Sequence, residues 1–572
     1  MAQELPKVFG EEYEGRWFGD ERKRVYIAPQ RIVWTSGEAV DAGGGSSKGL
    51  KNARLLVAGG NNGQSELTSR RTCEMSGEAG VMLDFGREIH GGVQIVTSAA
   101  GRHGPVRVRV RLGESVSEAM SVEGEKGATN DHAMRDYTIE LPWLGVVEVG
   151  NSGFRFARID LLDTAAMVGI KEINAIMVYR DMPWRGSFRS SDGRLDSIWE
   201  TGAYTVQLNM QQFLWDGIKR DRLVWLGDMH PEVMTVSAVF GAQEVVRRSL
   251  DLARDITPLP GWMNNMFAYS LWWVIIHRDW YLYHGDLGYL VEQKDYLERL
   301  LEILLSKVDS SGRLDPGEGG FLDWPSSSNP EGVKAGMHAL MCLALEAGEE
   351  LCGYLDSPGI ASRCRERVEK MRGIRPDHNG LKSAAALMAL SGIMDPVRAD
   401  REVISPGGVE GFSTFYGYYM LRAQAEGGNY SGALDNIRRF WGAMLDLGAT
   451  TFWEDFNMDW TLGAGRIDEL PEKGKKDIHA DYGAYCYVGL RHSLCHGWAS
   501  GPTAWLSRYV LGVRVIEPGC RVIRIEPHLG DLLWVEGAFP TPLGDVIIRH
   551  EALLDGSIST SVKAPEGITV IK

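Results

Sequence analysis

The stretch LVEQKDYLERLLEILLSKV, residues 290–308, sets Leu290, Val291, Leu297, Leu301, Leu304 and Val308 at helical spacing among charged residues. That is the mark of an amphipathic helix with one buried stripe. Outward from it, Leu195, Ile198, Gly202, Thr205 and Leu208 repeat the pattern, and further helix-like segments fall near 231–250, 266–284, 331–353, 408–426, 429–446 and 498–511. From residue 188 to 512 the pattern predicts roughly ten to twelve helices, joined by loops rich in Gly, Pro and Trp, with no lasting strand signal between them. Helical hairpins in such number stack as an open solenoid or close into a ring. The region has no repeat of fixed period and consensus, so a closed ring of helix pairs is expected.

The flanks read differently. Val106, Val108, Val110 and Leu112 alternate with Arg107, Arg109 and Arg111, the period-2 pattern of a half-buried strand. Similar runs are Val81 to Phe85, Val93 to Val96 and Phe154 to Ile159, and with Gly-rich turns they predict an N-terminal β-sandwich over 1–187. After Pro518 the alternation returns in Val522 to Ile525, Val546 to Ile548, Ile558 to Val562 and Ile568 to Ile571. A unit of about 60 residues buries too little surface to stand alone. The C-terminal β domain, 513–572, is therefore expected to pack on the helical domain, 188–512, and to complete a sandwich with the N-terminal region.

Composition narrows the partners. The 572 residues exceed one ordinary domain, and 44% hydrophobic residues suffice for large cores. A net charge of −15 argues against nucleic acid or an anionic membrane surface, both of which need a cationic face. No run approaches the roughly 18 apolar residues of a membrane span. The start, Met1-Ala2-Gln3-Glu4, has neither a basic region nor an apolar core of a leader, so a soluble, cytoplasmic protein is expected, or a periplasmic or secreted one if a signal peptide has been trimmed. The seven cysteines form no CxxC pair and read as free thiols of a reducing compartment. No His/Cys cluster has zinc spacing and no HExxH occurs, so no metal or cofactor is expected. Gly43-Gly44-Gly45 lacks P-loop order and reads as a flexible loop. Nothing in the sequence sets the oligomeric state.

The chemistry gathers in the loops of the helical region. Asp216-Gly217-Ile218-Lys219-Arg220-Asp221-Arg222-Leu223-Val224-Trp225-Leu226-Gly227-Asp228 packs three carboxylates, three cations and a tryptophan between two helix-like segments. Buried charges need partners or neutralisation, so this loop is expected to wall a polar pocket. Similar mixtures recur at Gly261 to Asn265, Phe321 to Pro325, Thr450 to Phe456 and His496 to Trp498. Singly, such an Asp is more often a helix cap and such a Trp more often core. Together, aromatic faces beside carboxylates suit a sugar, and two separated carboxylate loops suit glycoside hydrolysis, with one acid protonating the leaving oxygen and a second carboxylate activating water.

The block Asp216 to Asp228, the stretch Thr451-Phe452-Trp453-Glu454, and the tail from His496 through Trp505 to Val513, Glu517-Pro518-Gly519 and Ile525-Glu526-Pro527-His528 resemble the α-L-rhamnosidases of glycoside hydrolase family 78. Asp84-Phe85-Gly86-Arg87-Glu88 and Gly153-Phe154-Arg155-Phe156 resemble that family's N-terminal β-domain, and the similarity runs in order across most of the chain. The resemblance implies an (α/α)6 barrel flanked by N- and C-terminal β domains and inverting hydrolysis of terminal α-L-rhamnose from rhamnose-containing glycosides or oligosaccharides. It assigns the general acid to Asp221, the general base to Glu454, rhamnose-binding carboxylates to Asp216 and Asp228, and pocket lining to Arg220, Trp225, Trp453 and His496. Aspartate stands where the family's acid is usually glutamate, shortening the reach by roughly one bond length, about 1.5 Å; Glu232 is the alternative acid. To keep Asp221 protonated, Lys219, Arg220 and Arg222 are expected to pair with Asp216 and Asp228. Two other readings compete: a different glycosidase on the same barrel, and a non-catalytic carbohydrate-binding protein.

Overall fold

The computed structural model describes residues 19–38, 48–58, 71–101, 104–315 and 320–571; the chain start and the glycine run at 43–45 lie outside them. Eight strands come first: β1 (Lys23–Ile27), β2 (Arg31–Ser36), β3 (Cys73–Ser76), β4 (Gly80–Gly101), β5 (Val106–Gly113), β6 (Asp136–Leu141), β7 (Val146–Leu161) and β8 (Met167–Tyr179). All four strand runs read from the sequence lie within β4, β5 and β7. The strands form one hydrogen-bonded sheet in the order β1-β8-β4-β7-β5-β6, with β2 on β4 and β3 on β8, where two separate sheets were expected. The long β4 makes this possible: it pairs with β2 along its first half, with β8 along its second, and with β7 throughout. Gly91 marks the crossing, since a Cβ there would lie 2.0 Å from the Ile176 carbonyl oxygen. Val106, Val108, Val110 and Leu112 face the core of this sheet. Arg111, expected outside, is buried because its guanidinium reaches Asp160 at 2.7 Å and the Met120 carbonyl at 2.8 Å.

A short helix, α1 (Val116–Met120), follows β5, and β9 (Ser187–Ser190) leads into the helices: α2 (Gly193–Asn209), α3 (Met229–Val239), α4 (Glu244–Asp255), α5 (Phe267–His284), α6 (Leu287–Ser306), α7 (Pro330–Tyr354), α8 (Pro358–Arg372), α9 (Lys382–Leu390), α10 (Pro396–Ala399), α11 (Gly417–Glu426), α12 (Tyr430–Asp446) and α13 (Gly501–Trp505). The expected segment 231–250 is two helices, broken at Gly241, whose φ is 74°. Helix α3 is buried at every position and α9 and α11 at nearly every one, whereas α8 buries only Ala361, Cys364, Val368 and Met371. A helix apolar all round belongs inside and a striped one outside. Accordingly α3 packs on α5, α5 on α7, α7 on α9, α9 on α11, α11 on α13 and α13 back on α3. Between α12 and α13 lie a pair of two-residue strands, β10 (Ala464–Gly465) and β11 (Lys476–Asp477), and three short 3-10 turns, Met458–Thr461, Gly489–Arg491 and Gly497–Ser500.

The chain closes with β12 (Val513–Val515), β13 (Val522–Ile525), β14 (Trp534–Thr541), β15 (Gly544–Ala552), β16 (Ile558–Lys563) and β17 (Thr569–Ile571). They make two sheets, β12-β13-β17 and β16-β15-β14-β9. The terminal domain therefore borrows its edge strand from residues 187–190, with Ser190 opposite Val535, and does not join the N-terminal sheet. Phe188 of β9 is buried, so the expected boundary at 187 falls inside a strand. Helices and terminal sheets share one continuous apolar core, while the N-terminal sheet encloses its own. Two of the quoted motifs meet beside that seam, where Arg155 forms a two-armed ion pair with Asp84 at 2.8 and 3.0 Å, and Arg155 donates across it to the Gly448 carbonyl of the helical body at 3.0 Å.

Candidate active site

The loop between α2 and α3 and the long segment between α12 and α13 are laced together. Gly217 and His496 form an antiparallel bridge, and the Asp216 carbonyl accepts from Gly497 N at 2.8 Å and from Asn209 Nδ2 at 3.0 Å. The stretch at Glu454 is held in register beside the same segment: Glu454 N donates to the Ser493 carbonyl at 3.0 Å and His496 N to that of Phe452 at 2.9 Å. Backbone hydrogen bonds thus bring Asp216, Glu454 and His496, far apart in sequence, to one place. A cavity of about 250 Å³ opens there.

On the polar side stand Asp216, Arg220, Asp221, Asp228, Glu454 and His496. Arg220 bridges the two loops, donating to Glu454 through one terminal nitrogen and lying 3.3 Å from Asp221 Oδ1 through the other. Glu454 also accepts from Ser493 N at 3.1 Å. Asp221 accepts from the Trp225 indole at 3.0 Å, and its other oxygen is 3.1 Å from His132 Nε2. Asp216 accepts from Leu223 N at 2.9 Å, and Asp228 from the Tyr269 hydroxyl at 3.1 Å. Burial, with Asp221, Asp228 and Glu454 nearby, pushes the Asp216 carboxyl well above its ordinary range, and burial does the same for Asp228. His496 Nε2 lies 3.7 to 3.9 Å from Asp216, Asp228 and Glu454, yet burial and then Arg220 push its imidazole down to about 3. The directions agree: burial disfavours charge on Asp216, Asp228 and His496 alike, and the charge of Arg220 is answered by Glu454. The other wall is aromatic, with Tyr269, Phe321, Trp324, Tyr487 and Trp498; Trp498 stacks on Phe415 at 5.2 Å and leans on His496 at 4.3 Å.

Seven sequence-predicted residues, Asp216, Arg220, Asp221, Trp225, Asp228, Glu454 and His496, come together on this cavity. Trp453 does not. It is buried behind the site, edge-on to Phe456 at 5.6 Å, because backbone alternation turns it away from the side of Glu454. Glu232 is fully buried off the cavity, with Oε1 3.5 Å from Asn209 Nδ2, and burial holds its carboxyl well above the ordinary range. The expected pairing of cations with Asp216 and Asp228 is also overturned. Lys219 turns away to Glu114 at 3.0 Å and Glu118 at 3.2 Å, and Arg222 donates to the carbonyls of Asn151 at 2.9 Å and of His132. Asp216 and Asp228 instead meet neutral donors, the Leu223 amide and the Tyr269 hydroxyl. Sequence reasoning missed His132, which arrives from the N-terminal domain, and Tyr269 on the first turn of α5. Tyr269 follows the Gly261–Asn265 loop closely enough to have been found; His132 sits in an aperiodic loop with no signal. Among the described residues Glu114, Glu118 and His479 alone have metal-ligand spacing, and there the chain supplies its own cation, the Lys219 ammonium.

A ring of helical hairpins whose loops gather carboxylates and an arginine round an aromatic-walled cavity defines a glycosidase-type domain. Residues 183–341 match the family model described as the bacterial alpha-L-rhamnosidase 6 hairpin glycosidase domain, and residues 512–571 match the bacterial alpha-L-rhamnosidase C-terminal domain. These two stretches are similar to the bacterial α-L-rhamnosidase domain families, in line with the resemblance to glycoside hydrolase family 78. The GH78 family rhamnosidase of Bacillus sp. GL1 superposes with a TM-score of 0.71 at 21% identity, over 92% of this chain and 56% of that one. The rhamnosidase from Klebsiella oxytoca with rhamnose bound gives 0.67 at 20%, over 85% and 96%, and the Streptomyces avermitilis α-L-rhamnosidase complexed with L-rhamnose gives 0.67 at 16%, over 86% and 48%. This chain thus spans about half the length of the Bacillus and Streptomyces proteins, and at these identities the likeness is one of fold. No curated protein matches the sequence.

Proposed function

We propose that this protein is an α-L-rhamnosidase, hydrolysing terminal α-L-rhamnosides with inversion in an (α/α)6 barrel. The observation that carries the reading is that Asp221 and Glu454, from loops of different helical hairpins, flank one guanidinium at the edge of a sugar-sized cavity. Asp221 is the acid that protonates the leaving oxygen. Glu454 is the base that takes a proton from water attacking the opposite face of the ring, with the Arg220 guanidinium standing between the two carboxyls. Asp216, Asp228, Tyr269 and His496 have donors and acceptors for ring hydroxyls, while Met266 and Phe321 on the same cavity give the C6 methyl an apolar seat.

Incubation with a panel of nitrophenyl glycosides tests the reading, with release from the α-L-rhamnoside expected and NMR of the first-formed sugar showing the β-anomer. Initial α-anomer would refute inversion, and cleavage of other glycosides with the rhamnoside untouched would refute the sugar. A binding protein with no activity on any of them is disfavoured by the paired carboxylates, which binding alone does not require.

A further inference from the structure

His132 lies on the loop between α1 and β6, in the N-terminal domain, yet its ring lines the cavity with its side chain about one-third exposed. Its Nε2 stands 3.1 Å from Asp221 Oδ1 and 3.8 Å from Asp131 Oδ2. The contact is clasped from both sides, because the guanidinium of Arg222, the residue after Asp221, donates to the backbone carbonyl of His132 and to that of Asn151. Both His132 and Arg222 hold left-handed backbone, with φ of 60° and 62°, a conformation non-glycine residues keep only where the surroundings enforce it. The charged groups facing the imidazole are Asp131 on its own loop, Asp221 opposite, Arg491 at 3.0 Å from Asp131, and Arg220 behind Asp221.

We propose that His132 is the positioning and proton-return residue for Asp221, so that the N-terminal domain completes the active site. The proposal rests on the assignment of Asp221 as the acid. A short aspartate has a shorter reach to the leaving oxygen than a glutamate, and three groups fix its position here: the Trp225 indole on Oδ2, with His132 and Arg220 on Oδ1. In a turnover Asp221 gives its proton to the departing oxygen as the glycosidic C–O bond breaks, and Glu454 takes one from the attacking water. His132 then relays a proton from solvent at its exposed edge to the Asp221 carboxylate, while Glu454 releases its proton to solvent. The sum is consumption of one water.

The test compares wild type, His132→Ala and His132→Gln on nitrophenyl and methyl α-L-rhamnosides. For His132→Ala, kcat/KM on the methyl glycoside should fall by about tenfold or more, and on the nitrophenyl glycoside by less than about threefold, since only the poorer leaving group needs full protonation. Glutamine offers a neutral amide donor near Asp221 but cannot titrate, so kcat should recover in part while its pH profile stays altered. Equal losses on both substrates, or pH profiles superposing on wild type, would overturn the proposal. An NMR titration of the His132 imidazole needs no substrate: its midpoint should move in Asp221→Asn, and an unmoved midpoint also overturns it. If the midpoint moves but no α-L-rhamnoside is cleaved, the sugar assignment fails and the Asp221–His132 pair stands.

Discussion

The indole of Trp225 donates to Asp221 Oδ2 at 3.0 Å, four residues away on the same loop, leaving that carboxyl little freedom to rotate. Asp221→Asn should therefore spare a nitrophenyl rhamnoside and lower hydrolysis of an alkyl or natural rhamnoside by about 10²–10⁴-fold, the usual range of a general acid. Trp225→Phe keeps the ring and loses the hydrogen bond, so a smaller loss on the same substrates is expected. Steady-state rates on both leaving groups check it, and a natural rhamnoside hydrolysed within about tenfold of wild type by Asp221→Asn, short of the acid range, would make Asp221 structural.

Glu454→Gln removes the base but keeps the geometry. Turnover should fall by about 10²–10⁴-fold and be partly restored by azide, giving a rhamnosyl azide of inverted configuration. Product NMR decides it; an azide adduct of retained configuration would point to a different nucleophile.

Glu232 lies beneath Gly497 so closely that a Cβ added there would sit 1.6 Å from its Oε1. Gly497→Ala should cost about 1–3 kcal/mol, as overpacking does, and Glu232→Ala should relieve that cost in the double variant, a coupling read from a denaturation cycle. Glu232→Gln, at a site where burial already disfavours the charge, should keep activity on poor leaving groups. Its loss would move the acid from Asp221 to Glu232.

Lys219 bridges Glu114 and Glu118, and Arg135 stands 3.9 Å from Glu118 on another side. Lys219→Met leaves the buried Glu114 without its lysine partner and should cost about 3–5 kcal/mol, the usual penalty for breaking a buried ion pair. Denaturant unfolding measures it; a loss under about 1 kcal/mol would mean that the carboxyls simply take up protons.

Burial pushes the Asp455 carboxyl up to about 7. The fold favours its neutral form, so the contribution is fully present below the unfolded value and is lost as pH rises through about 7. Asp455→Asn should flatten the fall in Tm between about pH 4 and pH 7. Parallel wild-type and variant curves over that window would contradict the shift.

Most of the fold was legible because periodicity reports which side of an element is buried. The arginines of β5 and the stripe of α6 announce their elements, and the pocket carboxyls betray themselves by their density. Three things were not legible. Arg111 breaks the outward pattern because Asp160, on another strand, offers it a partner. The pairing of Lys219 with Glu114 and Glu118 joins residues about a hundred positions apart, and only tertiary structure sets such contacts. His132 reaches the cavity through a clasp made by Arg222, for which no local pattern exists.

The loan of β9 to the terminal sheet has a consequence for the order in which the molecule is made. Chains emerge N-terminus first, and domains tend to fold as units while synthesis proceeds. Phe188 and its strand must wait until β14 has left the ribosome. The N-terminal sheet can settle early, but the helices, which share their core with β12 to β17, stay open on one side until those strands arrive. A nascent chain stalled before that point presents an unpaired strand and an uncovered apolar face, the features chaperones recognise. Fusions at the C-terminus should therefore fold more faithfully than truncations there.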